Sequence, residues 1–393
     1  MSSFALTDAV ENDFGFNPYF LITGGALGNV TTGVGNVSFG ASAGRDMSTP
    51  NFNTMVGAGA GSNTEFSGYN TFIGGFAGSE NNRFNGTAEG RYNTYVGFGT
   101  GATNQEAEYN TGMGFDADFS SSASSERNVF IGADITINGD DLIVLGYNAS
   151  ASANNVISIG PYANGNGANS IGIGYNTDLP GAADHAVAIG AYSAVSTDNG
   201  TALGAATNVA GENAMALGYA AEASADNQVA VGNSAVAAIG GSVNWTTTSD
   251  GRFKTNVTEE VQGLDFINRL RPVTYVLNGD VLRQHQGHQQ KQQRYSGFIA
   301  QEVEQAAQAS SYTFSGVDAP QTEGGTYGLR YAEFVVPLTK AVQELNDNNQ
   351  RLKQENAQLK AELQRLQAQE KQLADLERRL LLLEKNRTDA DNQ

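Results

Sequence analysis

Apolar residues recur along residues 36–232 in short alternating runs, each closed by a glycine. The first are Val37-Ser-Phe-Gly40, Thr54-Met-Val-Gly57, Thr71-Phe-Ile-Gly74, Thr94-Tyr-Val-Gly97 and Thr111-Gly-Met-Gly114. Val129-Phe-Ile-Gly132, Val144-Leu-Gly146, Ile157-Ser-Ile-Gly160 and Ile171-Gly-Ile-Gly174 follow, then Val187-Ala-Ile-Gly190, Ala202-Leu-Gly204, Ala216-Leu-Gly218 and Val229-Ala-Val-Gly232. From Gly132 to Gly232 the intervals are 14, 14, 14, 16, 14, 14 and 14 residues, and before Gly132 they run from 17 to 23. Such a run is too short for a helix and suits a strand, whose side chains alternate between faces. The glycine then permits a turn. Two short strands and two turns per repeat predict one coil of a parallel solenoid, stacked on its neighbours at about 4.8 Å. Ala, Val, Ile and Ser are the expected inward residues.

The longer early repeats read as coils with outward insertions, and solenoid insertions collect on one face, often the binding face. Tyr69, Phe84, Tyr92 and Tyr109 are therefore candidate aromatic anchors for a surface contact in residues 60–126, although each is equally compatible with the core. Three of these repeats share an opening, Tyr69-Asn70-Thr71, Tyr92-Asn93-Thr94 and Tyr109-Asn110-Thr111. Upstream, Phe14, Phe16, Tyr19, Phe20, Leu21 and Ile22 form an apolar cluster. It reads either as a strand capping the first coil or as a docking peptide for a larger assembly.

Beyond residue 249 the period changes. Leu264–Leu270 reads as a short amphipathic helix, Arg271–Leu277 as a strand, Ser296–Glu304 as a strand leading into a helix, and Tyr327–Tyr331 as a further strand. From Phe334 to near Lys385, Leu338, Leu345, Leu352, Leu359, Leu366, Leu373 and Leu380 recur every seventh residue, the signature of a coiled coil. With these at d, the a positions include Val342, Asn349, Asn356 and Leu363, and polar a residues cost stability while fixing register and strand number. After Leu366 the pattern becomes Leu373, Leu376, Leu380 and Leu383, so the seam rotates.

Composition narrows the reading. The chain has 393 residues, 48 Gly and no Cys, so no disulfide framework supports it. Residues 1–248 hold 21 Asp/Glu, 4 Arg and no Lys, a balance of -17, leaving -2 for the rest. An acidic, lysine-free half argues against a nucleic-acid or anionic-membrane partner. No stretch has the ~20 apolar residues of a membrane span. Met1–Gly15 carries acids and no basic start, so no ordinary signal peptide is read there. Synthesis in the cytoplasm, followed by release or packaging into a particle, is the expectation. His285 and His288 lack an evident third ligand and read as part of a solvated loop, so no metal or cofactor is expected. One coil of small residues buries too little apolar surface to fold alone, and three chains would supply the missing burial.

One pair could do covalent chemistry. In Thr246-Thr-Thr-Ser249-Asp-Gly-Arg-Phe-Lys254, a serine hydroxyl stands five residues from an amine. A neutral lysine can take a serine's proton. From spacing alone, Ser249 reads better as a turn cap and Lys254 as a surface charge. The stretch resembles, however, the opening Ser-Asp-x-Arg-Leu-Lys of the endosialidase-type intramolecular chaperones that end many phage tail fibres and tailspikes, with Phe253 in place of Leu. Ser296-Gly-Phe-Ile-Ala-Gln301-Glu-Val and Tyr327–Tyr331 match that family's later motifs, so the resemblance spans roughly 249–345. It implies a Ser249–Lys254 dyad that breaks the Thr248–Ser249 bond once per chain, with no turnover on other substrates.

The units Asn169-Ser-Ile-Gly-Ile-Gly174 and His185-Ala-Val-Ala-Ile-Gly190-Ala-Tyr-Ser resemble the head repeats of trimeric adhesins, closely over residues 130–240 and loosely over 36–130. Together the two resemblances imply a mainly β chain: a trimeric parallel β-roll solenoid, then a small α+β chaperone domain and a C-terminal trimeric coiled coil. The expected segments are 1–34 for attachment or capping, 35–245 for the β-roll, 246–335 for the chaperone, and 336–393 for the coiled coil and tail. The function implied is a homotrimeric fibre of a phage tail or phage-tail-like injection particle. Its N-terminus would meet tail or baseplate proteins and its body a glycan or protein receptor on a host cell. A bacterial trimeric surface adhesin is the alternative; it would call for a signal peptide and C-terminal membrane strands, and neither is read in Met1–Gly15 or Asn386–Gln393. A tailspike acting on surface polysaccharide ranks below both, because no paired carboxylates stand out.

Overall fold

The computed structural model describes residues 20–22, 25–29, 32–83, 89–120, 125–278, 294–320 and 325–391. The chain divides into two compact units, Met1–Ser242 and Val243–Asn278 with Lys291–Gln393. Among the described residues the first unit is a parallel β-solenoid. Every glycine-ended run is a strand of one 14-stranded ladder, whose first strand is Phe20–Ile22. That strand pairs in parallel with Val37–Phe39, so this part of the N-terminal cluster caps the first coil. Phe14, Phe16 and Tyr19 lie outside the described residues. A second ladder of eight two-residue strands runs from Asp118–Phe119 to Glu222–Ala223. Its register is one coil per step, as in Ser150 opposite Asn164.

The glycine that ends each long strand has a physical cause. Gly40 sits at φ 135°, and a Cβ there would come within 2.6 Å of the Gly57 carbonyl oxygen in the next coil. Only a residue without a side chain fits such an approach at that φ. The opposite corner, two residues before each strand, lies in the left-handed region. Asn155, Asn169, Asn199, Asn213 and Asn227 occupy it in the later coils, in keeping with asparagine's tolerance of that conformation. In the early coils Phe52, Tyr69, Tyr92 and Tyr109 take the same corner. Their rings stack at 5.5, 5.2 and 4.9 Å and are about half exposed. Tyr69, Tyr92 and Tyr109 are thus surface residues; Phe84 lies outside the described residues.

Two expectations about the coils are corrected. In a three-residue strand the middle side chain points one way and its neighbours the other. Here the middle residue is inside and the outer two face out. Ser158, Ala188, Ala202 and Ala216 are accordingly buried, while Ile131, Ile143, Ile189 and Leu217 stand partly exposed. Ile was expected inside; of the isoleucines, Ile135 and Ile137 are buried as expected, whereas those flanking the middle position of the long strands are not. The early repeats also do not simply loop outward. Their extra residues continue the coil-to-coil hydrogen bonding, with Gly44 N–H donating to Ala60, Asp46 to Ser62 and Ser48 to Glu65. They enlarge the coil's circumference, and Met47, Met55, Phe72, Tyr95 and Phe130 fill the wider interior. Gly78, Gly101 and Gly112 have no side chain where the Phe72, Tyr95 and Phe130 rings lie.

The shared Tyr-Asn-Thr opening is explained by the same coils. The tyrosine takes the left-handed corner, the asparagine turns inward and the threonine starts the strand. Asn36, Asn53, Asn70, Asn93, Asn110 and Asn128 form a buried ladder. Each Oδ1 accepts from the next coil's backbone N–H at 2.8–3.0 Å, ending at Leu142. At the wide-to-narrow transition, Asp118 accepts from the backbone N–H of Thr103 at 3.1 Å and of Phe119 at 2.8 Å. Burial pushes its carboxyl up to about 6 against those two donors. It also raises the phenol of the fully enclosed Tyr95, whose hydroxyl accepts from Asn104 Nδ2 at 3.0 Å.

The second unit is mixed. The predicted short helix is α1, Leu264–Ile267, and the strand after it is Val273–Val276. That strand pairs antiparallel with Arg294–Gly297, which leads into α2, Ala300–Ala309. Val317–Asp318 pairs with Gly328–Leu329 before a 3-10 turn and α3, Val335–Asp391, of 57 residues. Phe266, Val303, Ala306, Ala307 and Phe334 make a small core. Glu344 of α3 accepts the Leu264 N–H at 2.7 Å, capping α1 where no local side chain does so. Past this contact α3 leaves the core: residues 351–384 are all exposed, including Leu352, Leu359, Leu366 and Leu373. Among the described residues no helix is long and apolar enough to cross a membrane.

Candidate functional site

The segment from Val243 to Lys254 is exposed apart from half-buried Asp250. Trp245 is 87 % accessible and Val243 84 %. Within it the chain makes one tight turn, and the sequence accounts for it. Asp250 has an extended backbone and caps the 3-10 turn Gly251–Phe253, its carboxylate accepting the Arg252 N–H at 2.9 Å. Backbone N–H groups of Phe253 and Lys254 then donate to the Asp250 and Gly251 carbonyls, each at 3.1 Å. Lys254 returns to extended geometry, so its side chain runs back along the turn.

That reversal closes the five-residue gap. Lys254 Nζ donates to Ser249 Oγ at 2.7 Å. The spacing alone favoured a serine capping the turn, but the cap is Asp250. Phe253, which stands where the resembling motif has leucine, is 73 % exposed and leaves the lysine's path open. Space around Gly251 is also open.

Asp250 has a second engagement. Arg252 Nε donates to both of its carboxylate oxygens at 3.1 and 3.0 Å, and Nη2 adds a bond of 2.6 Å. These bonds from the guanidinium, with the one from the Arg252 backbone, hold the Asp250 carboxyl below the usual carboxylate range. Arg252 is raised in turn by the hydrogen bonds to Asp250. Sequence reading had not singled out this pairing. Its only signal was an acid and a base two apart around a glycine.

A hydroxyl beside an amine can do acyl chemistry if the amine takes the hydroxyl's proton, and a serine adjoining its own N-terminal peptide bond has a substrate within reach. His285 and His288 lie outside the described residues. No match is found among curated proteins. Residues 143–163, 182–207 and 210–235 match the YadA head domain repeat. Residues 249–311, beginning at Ser249 itself, match the family described as chaperone of endosialidase. The chain thus carries an endosialidase-chaperone domain behind YadA-head-like repeats in a β-solenoid, the architecture of phage tail fibres and tailspikes.

Proposed function

We propose that this chain is a homotrimeric fibre protein of a phage tail or a phage-tail-like injection particle, attaching it to a cell surface, and that its C-terminal region assembles the trimer and then cleaves itself off. The observation carrying the cleavage is the 2.7 Å contact of Lys254 Nζ with Ser249 Oγ at the first residue of the chaperone match. Neutral Lys254 takes the Oγ proton as Oγ attacks the Thr248 carbonyl carbon. The new C–O bond replaces the Thr248–Ser249 C–N bond, and the leaving nitrogen receives the proton as Ser249's free amine. Water then hydrolyses the ester, leaving a Thr248 carboxylate and restoring the Ser249 hydroxyl.

Two uncovered apolar surfaces support assembly from three copies. One is the outer face of the long ladder, with Val129, Ile131, Ile143, Ile189 and Leu217 each about 40 % exposed. The other is the heptad face of α3. Monomeric proteins rarely leave continuous apolar surface of this kind in water. For cell attachment, the wide coils offer the stacked column of Phe52, Tyr69, Tyr92 and Tyr109, open along one side. The N-terminal segment is assigned to tail or baseplate proteins.

A denaturing gel with intact-mass measurement tests the cleavage. The wild type should run as two pieces, 1–248 and 249–393, the smaller starting at Ser249. Ser249→Ala and Lys254→Ala should each leave one full-length band while light scattering still reports a trimer. A single intact band from folded wild type would make the segment a permanent trimerisation domain.

A further inference from the structure

We propose that Arg252 is a positioning residue for the cleavage: it holds the Asp250 carboxylate away from Lys254, so the amine keeps no counter-ion and can act as a base. The inference rests on the autoproteolysis reading above. Asp250 is the one acid between Ser249 and Lys254. A carboxylate this close in sequence is the natural ion-pair partner of a lysine, and an opposite charge within about 4–6 Å favours the charged form. A protonated amine cannot take the serine proton.

The structure commits Asp250 elsewhere. Three hydrogen bonds from the Arg252 guanidinium and one from its backbone occupy the carboxylate. Lys254 forms no ion pair among the described residues; its side chain contacts Ser249 Oγ. Among the described residues, the turn is exposed apart from half-buried Asp250. Among the described residues, the charged groups beside Lys254 in the turn are Asp250 and Arg252, with Glu259 and Glu260 next along the chain and not paired to it. The planar fork of arginine can engage both carboxylate oxygens, which a second lysine at 252 could not do.

The test uses the full-length chain, made by cell-free translation and then shifted to buffers between pH 6 and 10, with the smaller fragment followed in time. Arg252→Gln frees Asp250 to pair with Lys254. It should move the midpoint of the cleavage-rate profile up by about one pH unit, with a roughly tenfold slower rate near neutrality. Arg252→Gln with Asp250→Asn removes the freed charge and should return the midpoint to the wild-type value. A merely structural role would lower the rate alike at every pH, with no rescue by the second change; either result overturns the proposal.

A second readout does not need cleavage. In 13C-lysine-labelled Ser249→Ala protein, the NMR titration of the Lys254 side chain should move to higher pH on Arg252→Gln and return in the triple variant. Uncleaved wild type with a moving titration would sink the autoproteolysis and leave the clamp standing. Cleaving wild type with an unmoved titration would sink the clamp alone.

Discussion

The wide and narrow coils of the solenoid solve one problem with different materials. Both stack in parallel through the same ladder, and both end each long strand after the first in a glycine. The narrow coils close around Ala188, Ala202, Val209 and Ala216, whereas the wide coils enclose Met55, Phe72, Tyr95 and Phe130. The longer turns, 17 to 23 residues against mostly 14, widen the coil, and the interior must then be filled, because close packing leaves no tolerance for voids. The wide coils also bury a continuous asparagine ladder, which in the narrow coils gives way to Leu142, Val156, Ser170 and Ala186. Circumference thus sets the size of the inward residue, and the polar ladder accompanies the larger perimeter.

Exchanging fillers should break this relation with the largest effect. Tyr95→Ala empties a wide coil and should cost about 3–5 kcal/mol, read as a lower denaturant midpoint. The reciprocal Ala202→Leu overfills a narrow coil and should cost about 1–3 kcal/mol. Equal tolerance of both changes would disconnect coil width from core volume. A smaller loss is expected from Asn93→Ala, about 1–3 kcal/mol, because the buried Asn110 N–H loses its acceptor. Hydrogen exchange at the Asn110 amide should rise in that variant.

The smallest effect concerns Asp118, at the boundary between the two coil types. Its folded carboxyl sits at about 6 against an ordinary 3.8. Since the folded value is the higher, the stability it contributes is complete below pH 3.8 and is lost as pH rises through about 6. Asp118→Asn keeps an oxygen for the Thr103 and Phe119 donors and removes the charge. It should flatten that pH dependence and gain about 1 kcal/mol at neutral pH, the group being only half-buried. An unchanged slope between pH 4 and 7 would place the carboxylate in water.

Much of this was open to reading in the chain. The glycine-ended runs locate every long strand after the first, because a backbone approach that tolerates no Cβ leaves a fixed mark. Side-chain phase was harder. In runs such as Ile157-Ser-Ile, either face is a plausible interior, and the burial of the corner residues Val156 and Ala163 is what decides it. The asparagine ladder was visible as an Asn one residue before each early strand, yet its inward turn follows from the left-handed corner beside it. At the site, Ser249 and Lys254 could be named from motif and spacing. The Asp250–Arg252 clasp could not, because only coordinates separate it from an Asp250–Lys254 pair.

Trp245 is the sole tryptophan in the chain, nearly fully exposed, with three threonines between it and Ser249. The molecule therefore carries its own optical reporter beside the bond assigned to break. Indole emission shifts to the blue when water leaves the ring, and its anisotropy falls when the attached chain gains local freedom. Assembly would act on the first signal, and scission, by turning residue 245 into part of a free chain end, on the second. Both events can thus be timed in one cuvette with no added dye.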